Sequence, residues 1–581
     1  MVAALVLVLA PEWGLAQKAA AATDAAQVKA ADAAFREGSA AYAANDLPAA
    51  HTDFAKVVKL VPGVAAGHAA FGAVLLAEGD VRGGVRELEL AHTIAPEDQE
   101  SALSLAMAYV RAANYSDAVT MFGLLDKSSP LNAEAAAAYA TALSATGRAQ
   151  EAQSQLQAAV AISPESPALH DALGTVLAQQ QRFGEAAAEF KRAIDLDPKL
   201  AAGHLHLGAD YLAENDANAA VPELTKATEL DPTSAAAELQ LGRALSATRE
   251  DQAAIESLRK SLELEPGSVD AQYAMGLAMQ GAGDFKGSLP LLVKVAQARP
   301  KDAAVLTNYG LSLVQTGDAK QAIAVYQRAL QVDAKNPTLR EDLGVAYLQQ
   351  SDLDHAIEQF RAGLAADEGS PQLHYDLGLA YKLRDNLTDA ISEFEQAAGI
   401  DPGLPDPPYT LGVIYMQQGR FADAQRELEK ATALRGDNGA AWELLGNVYK
   451  QAGDLDRAVA ALRRAIALLP DQPSPHITLA AILAQQGDRA QATEERKIAA
   501  GLSRVAVSRQ RANFNLDTAR ALMKQGKTIE AVAQLQSAIA ADPSYSEPHR
   551  VLADALTLAG RGADAAVERQ KAEQLAAAHA P

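Results

Sequence analysis

The chain has 581 residues and a formal net charge of -22, with 49% hydrophobic but only 5% aromatic residues. Its apolar content is therefore mostly Ala and Leu, which favours closely packed helices over an aromatic-rich sheet core. The acidic charge argues against a nucleic-acid backbone as the partner, and the lack of cysteine excludes disulfides and thiolate metal sites.

The first predicted element is a continuous apolar run from Val2 to Ala10. It is too short to span a membrane, but it has the length of a signal-peptide core, and Gly14-Leu15-Ala16 offers small residues for cleavage. No Lys or Arg precedes it, so either the terminal amine takes that role or the true start lies upstream. An apolar cap on the first helix is the alternative, but such a helix would be amphipathic. We expect residues 1–16 to be a signal peptide that directs export to the bacterial periplasm or secretion, with the cytoplasm as the alternative.

A period of thirty-four residues follows an Ala-rich lead-in at residues 17–30. The stretch WELLGNVYKQAGDLDRAVAALRRAIALLP, Trp442 to Pro470, shows its marks: a small residue at Gly446, a second at Ala458, and a closing Pro. Sixteen repeats fit, fourteen in unbroken phase over 31–506, then an insertion at 507–511 and two further repeats over 512–581. The first small site holds Gly or Ala in every repeat.

Each repeat is predicted to form a helical hairpin. The second small site, as at Ala186 and Ala424, is also small throughout, so helix axes should approach closely at two places. Between the helices comes a turn such as QQGR or QAGD, where Gly ends the first helix and Asp can cap the second. Eleven repeats close with Pro, which stops the second helix. One hairpin cannot bury its apolar face alone, so the hairpins must stack.

These residues resemble the tetratricopeptide repeat family, whose consensus of Trp, Leu-Gly, Tyr, Ala, a large apolar residue, Ala and Pro is close to the stretch quoted above. The resemblance implies an all-α fold, an α-solenoid coiled as a right-handed superhelix, with first helices lining a concave groove that holds a peptide or a partner's helix. Two repeats depart from the pattern. Arg496 occupies a large apolar site just before the insertion, which predicts a kink or a boundary there. Arg569 does so in the last repeat, which predicts a C-terminal capping helix.

The free face of the first helices lies opposite their packing sites, at 100° per residue. Across successive repeats it carries an apolar row, tyrosines and a polar row, which suit an extended or helical peptide. The candidate groove residues are Tyr273, Leu277, Asn308, Leu311, Asp342, Val345, Tyr375, Asp376, Leu379, Tyr409, Val413 and Met416. In the alternative interpretation these side chains pack on neighbouring repeats and leave no open strip.

Two specialised groove types known in the family are not matched. A clamp for a C-terminal carboxylate would need Lys, Arg and Asn on adjacent repeats, but Asn447 and Lys450 are followed by Ile477 and Ala481. An asparagine ladder would need Asn at one site in many consecutive repeats, and only Asn308 provides one in the stretch considered.

No catalytic motif emerges from the chain. His204 and His206 are two apart, which points them to different sides of a helix, and nothing resembles the HExxH zinc motif. Most of the eleven histidines are expected at the surface or in the groove. We expect no enzymatic activity, cofactor, metal, nucleic-acid partner or membrane insertion of the mature chain.

The sequence therefore predicts a protein-interaction scaffold that binds a peptide or partner protein in the groove. One alternative is an accessory subunit of an envelope enzyme or export complex, for example in polysaccharide or glycan synthesis. Another is the regulatory half of a transferase whose catalytic part is a separate chain.

Overall fold

The computed structural model describes residues 25–125 and 130–578. The predicted signal peptide, residues 1–16, and residues 17–24 of the predicted lead-in lie outside the described residues. The regular structure of the described residues consists of α-helices. The first of these helices, α1, already includes residues 25–30, so the end of the predicted lead-in is part of the first hairpin.

The chain divides into two compact units, residues 1–316 and 317–581, called here the N-terminal unit and the C-terminal unit. The helices of the N-terminal unit are α1 (Ala25–Ala43), α2 (Leu47–Leu60), α3 (Ala65–Glu78), α4 (Val81–Ile94), α5 (Gln99–Arg111), α6 (Tyr115–Leu124), α7 (Ala133–Ala145), α8 (Ala149–Ile162), α9 (Pro167–Gln179), α10 (Phe183–Leu196), α11 (Ala201–Ala213), α12 (Ala217–Leu230), α13 (Ala235–Ala247), α14 (Asp251–Leu264), α15 (Val269–Gly281), α16 (Phe285–Ala298) and α17 (Ala303–Gln315).

The C-terminal unit begins in the turn after α17. Its helices are α18 (Ala319–Val332), α19 (Pro337–Gln349), α20 (Leu353–Leu364), α21 (Pro371–Leu383), α22 (Leu387–Ile400), α23 (Asp406–Gln417), α24 (Phe421–Leu434), α25 (Gly439–Gln451), α26 (Leu455–Leu468), α27 (Pro473–Gln485), α28 (Arg489–Lys524), α29 (Thr528–Ala541), α30 (Ser546–Leu558) and α31 (Gly562–Ala578). From α1 to α27 the odd-numbered helices are the first helices of the predicted hairpins. Within each unit successive helices pack on one another, so each unit is an α-solenoid.

The first small site is a point of close contact between the two helices of a hairpin. A β-carbon added at Gly208 would lie 2.5 Å from Cγ of Leu224, and one added at Gly412 would lie 2.6 Å from Cγ of Leu428. Both leucines are fully buried, so they cannot swing aside. The second small site is equally tight, since Ala220 and Ala424 have no exposed surface. The structure thus confirms the two close approaches that the sequence predicts.

The turns inside the hairpins also follow the sequence. Asp46, Asp216 and Asp454 stand just before second helices, and each side chain accepts a hydrogen bond from a backbone N–H of the first helical turn. This satisfies a donor that the helix itself cannot pair. The residue before the cap is left-handed, and Gly453 takes that conformation with φ of 79°. Several turns use another residue there, such as Arg249 with φ of 67°.

The insertion at residues 507–511 lies inside α28, which runs for 36 residues without interruption. Where a kink or boundary is predicted, α28 therefore joins the second helix of one repeat to the first helix of the next. The buried cluster that ends at Ala492 is separate from the one that begins at Leu516. Arg496 and Arg569, the two charged residues at large apolar sites, are both exposed.

The expectation that most histidines lie at the surface or in the groove is wrong for six of them. These six are buried or half-buried, and each is bonded to a Glu of the same hairpin: His68, His170, His204, His374, His476 and His549. His204 and His206 do point to different sides, because His204 contacts Glu223 and His206 contacts Asp171.

Candidate interaction surface

The candidate groove residues of the N-terminal unit are half-buried and partly engaged with one another. Tyr273 and Leu277 lie on α15, and Asn308 and Leu311 lie on α17. The Asn308 side-chain amide donates to the Tyr273 hydroxyl at 3.0 Å and to the Ala304 carbonyl at 2.9 Å. Burial raises the pKa of Tyr273, so its hydroxyl stays protonated. Both side-chain amide hydrogens of Asn308 are therefore used within the unit, and its side-chain carbonyl oxygen is the acceptor that remains.

In the C-terminal unit, the surface formed by the first helices α19, α21 and α23 is here called the first-helix face. Its candidate residues are Asp342, Val345, Tyr375, Asp376, Leu379, Tyr409, Val413 and Met416. All of them are half-buried except Asp376, which is buried. Tyr375, Leu379 and Met416 are among those that pack on the hydrophobic cluster beneath.

Tyr375 joins two first helices. Its ring lies against Phe394 with centroids 5.5 Å apart, and its hydroxyl is hydrogen-bonded to Thr410 on α23. Burial raises the pKa of the Tyr375 hydroxyl, which keeps it neutral. The side chain is held in one place and is half-buried, which is the arrangement of an anchoring residue at an interface.

Two carboxyl groups on this face have raised pKa values. Burial raises the pKa of Asp376 to about 7, although a hydrogen bond from Gln372 at 3.2 Å acts in the opposite direction. Burial raises the pKa of Asp342 to about 6, with a further contribution from the neighbouring Glu341 carboxylate. Each therefore exchanges its proton near neutral pH, and each can change between hydrogen-bond donor and acceptor.

The face is neither fully open nor fully closed by packing. Its tyrosine and aliphatic side chains support the cluster with one side and meet solvent with the other. Sequence reasoning missed Glu341 and Thr410, which contribute to the charge and the hydrogen bonding of this face. Their positions in the repeat, three and two residues before the first small site, could have indicated them.

Two further observations bear on chemistry. Among residues 25–125 and 130–578, no group of three or more His, Asp or Glu side chains could hold a metal ion. In the same described part of the chain, no helix is long and apolar enough to cross a membrane.

Family models match most of the chain. A model described as the cilia and flagella-associated protein 70 C-terminal domain, a tetratricopeptide repeat model, matches residues 270–515. Two models described as tetratricopeptide repeat match residues 103–167, 140–201 and 516–579, and residues 211–279. No curated protein matches the chain.

Two solved structures that match the chain are remote from it in sequence. One is the crystal structure of the APC/C hetero-tetramer Cut9-Hcn1, with 14% identity, a TM-score of 0.36, and coverage of 81% of this chain and 98% of that chain. Another is PilF of Pseudomonas aeruginosa, with 20% identity, a TM-score of 0.31, and coverage of 35% and 93%. The repeated family matches, together with the tandem hairpins, show that this chain belongs to the tetratricopeptide repeat family.

Proposed function

We propose that the protein is a non-enzymatic scaffold that binds a peptide, or a segment of a partner protein, on the first-helix face. The main support is the fixed and half-exposed Tyr375, with Tyr409 and Met416 beside it on the next first helix. Rigid aromatic anchors of this kind give a large contact area at a small cost in conformational entropy. The repeats occupy nearly the whole chain and leave little room for a catalytic domain.

The test is a crosslinking capture with the chain from Gln17 onward as bait, in envelope and cytosolic extracts. We compare it with the double variant Tyr375→Ala/Tyr409→Ala and with the control Phe421→Ala/Leu434→Ala. The control removes an aromatic and an aliphatic side chain from the second helix α24, where they are 37% and 43% exposed. Binding that is lost with the tyrosine pair and kept with the control supports the proposal. Equal capture by all three proteins contradicts it.

We also propose that residues 1–16 direct export, because the run from Val2 to Ala10 is apolar on every face. The full chain with a C-terminal tag is produced in a bacterium, and the N-terminal residue of the purified protein is determined by mass spectrometry. Export with cleavage after Ala16 leaves Gln17 at the N-terminus in the periplasmic fraction. An intact chain that stays in the cytosol contradicts this proposal.

A further inference from the structure

Six hairpins contain the same partly buried contact between a histidine and a glutamate. The histidine stands four residues before the first small site, on the first helix, and the glutamate stands nineteen residues later on the second helix. The distances from Nδ1 to the carboxylate are 2.7 Å for His68–Glu87, 2.6 Å for His170–Glu189, 2.7 Å for His204–Glu223, 2.6 Å for His374–Glu393, 2.5 Å for His476–Glu495 and 2.6 Å for His549–Glu568. These are called here the His–Glu pairs.

The two positions vary together within the chain. Each of the six repeats with His at the first position has Glu at the second. Among the ten other repeats, Glu occurs at the second position once, as Glu427, opposite Pro408. Because all repeats have the same backbone fold, residues at the same position in different repeats lie in equivalent surroundings and can be compared directly. It indicates that the glutamate is present for the imidazole and not for helix formation in general.

In four pairs the second ring nitrogen also meets an acceptor. Nε2 lies 3.0 Å from the carbonyl of Pro62 at His68, and 3.0 Å from that of Pro164 at His170. At His204 it lies 3.4 Å from the Pro198 carbonyl, and at His374 it lies 3.3 Å from the Glu368 carbonyl. Each carbonyl belongs to the turn that precedes the first helix. The ring therefore ties together that turn, the first helix and the second helix.

For both contacts to be hydrogen bonds, either the ring carries two protons or the ring carries one and the glutamate carries the other. A carboxylate and a carbonyl both only accept hydrogen bonds, whereas a neutral imidazole has one N–H. The imidazolium form makes both bonds, and the neutral ring must place a lone pair against one of the acceptors. Within the described residues, the partner glutamate is the charged group in direct contact with each of these four rings, and the Lys191 ammonium also interacts with the Glu223 carboxylate of the His204 pair. The preceding turn contributes the uncharged carbonyl.

Other repeats make the same link to the turn with donors that do not titrate near neutral pH. Gln272 donates to the Pro266 carbonyl at 3.2 Å, and Trp442 donates to the Gly436 carbonyl at 3.0 Å. Arg340 donates to the Ala334 carbonyl at 2.9 Å and to Gln359, which occupies the glutamate position, at 3.0 Å. The link thus recurs in seven of the described hairpins, and it depends on an imidazole proton in the four whose His–Glu pair also reaches the turn.

We propose that the four His–Glu pairs whose ring also reaches the preceding turn, those of His68, His170, His204 and His374, make their hairpins sensitive to protons. While the ring is an imidazolium, it holds the preceding turn and both helices together. When the pH rises and the ring loses its proton, one of the two bonds is lost and that hairpin opens more often. In hairpins with Gln, Arg or Trp at the same position, the link to the turn carries no group that titrates near neutral pH, so the response of this link follows the positions of the histidines along the array.

The test measures hydrogen exchange by mass spectrometry on the full chain, at about pH 5.5 and about pH 8, on either side of the range in which imidazole titrates. Rates are corrected for intrinsic exchange. The variant His204→Arg/Glu223→Gln copies Arg340 and Gln359 into the hairpin of α11 and α12. Between the two pH values, peptides of this hairpin in the unmodified chain should lose about tenfold in protection, the loss expected for one hydrogen bond. The variant should lose clearly less there, because it keeps only the pH response of other groups such as Asp210 on α11, whose pKa burial raises to about 6.

The hairpin of α25 and α26, with Trp442, is the internal control and should keep its protection at both pH values. A second variant, His374→Gln/Glu393→Leu, copies Gln272 and Leu291 and tests the hairpin of α21 and α22 if the first variant does not fold. Equal pH responses of the unmodified and variant hairpins would overturn the proposal. So would a response of the Trp442 hairpin as large as that of the His204 hairpin.

Discussion

At the scale of single residues, Asp210 is a side chain whose charge does not suit its surroundings. It lies on α11 with 3% of its surface exposed, and neither carboxylate oxygen has a hydrogen-bond partner. Burial, with a smaller contribution from Glu214, raises its pKa to about 6. The repeats before and after place Val176 and Ala244 at the same position, both buried. A charged carboxylate here therefore costs stability without any visible compensation.

Replacing Asp210 by Val should stabilise the N-terminal unit. Since the folded-state pKa is raised above the unfolded value, the cost is absent at low pH, grows as the pH rises through about 4 to 6, and is complete above that range. We expect the free energy of unfolding to increase by about 2 kcal/mol at neutral pH and by much less at about pH 4. Urea unfolding of both proteins at the two pH values measures this. A variant that is no more stable at neutral pH would contradict the expectation.

At the scale of elements, the sequence predicts best those features that recur in every hairpin for steric reasons. The small sites, the Asp caps and the hairpin turns recur because every second helix approaches its first helix in the same way. The left-handed turn residue is less predictable, since Arg249 takes a conformation for which glycine is the usual choice. The length of α28 is not evident either. The insertion holds no Gly or Pro, so no residue there ends the helix. A comparison of repeats at a spacing of thirty-four residues treats the insertion as a break and therefore does not show that the helix continues through it.

The close approach at the first small site gives a matched pair of substitutions. Gly412→Ala places a β-carbon 2.6 Å from the buried Leu428 and should destabilise the C-terminal unit by about 1 to 3 kcal/mol through overpacking. Gly399→Ala is the control, because a β-carbon there meets nothing within 4 Å. It lies in α22 and should be neutral or add up to about 1 kcal/mol through helix propensity. The urea midpoints of both variants measure these changes in stability. Equal effects of the two substitutions would show that the contact with Leu428 does not restrict the residue at position 412.

At the scale of the whole molecule, the sequence predicts which surface is available but not how open it is. The free face of the first helices follows from helical periodicity alone. The burial of Asp376 and the packing of Tyr375 on Phe394 depend on the sizes of side chains in neighbouring hairpins, which periodicity does not encode. The His–Glu pairs were missed for a different reason. Their signal is a spacing of nineteen residues that appears only when repeats are compared with one another.

We also expect the C-terminal unit to contain two parts that unfold separately. The last two hairpins bury their own cluster, from Leu516 to Ala565, and α28 links it to the cluster that ends at Ala492. In repeat arrays each hairpin is stabilised mainly by its direct neighbours, so a separate core should open separately. Leu535 and Leu428 occupy the same position in their repeats, and both are fully buried.

The variant Leu535→Ala should therefore speed hydrogen exchange in residues 512–578 and leave residues 353–492 unchanged, because about 2 to 5 kcal/mol is lost from one core alone. Leu428→Ala should do the reverse. Mass spectrometry of exchange at neutral pH distinguishes the two patterns. If either variant accelerates exchange in both segments equally, α28 transmits stability between the cores, and the hairpins on its two sides form one cooperative unit.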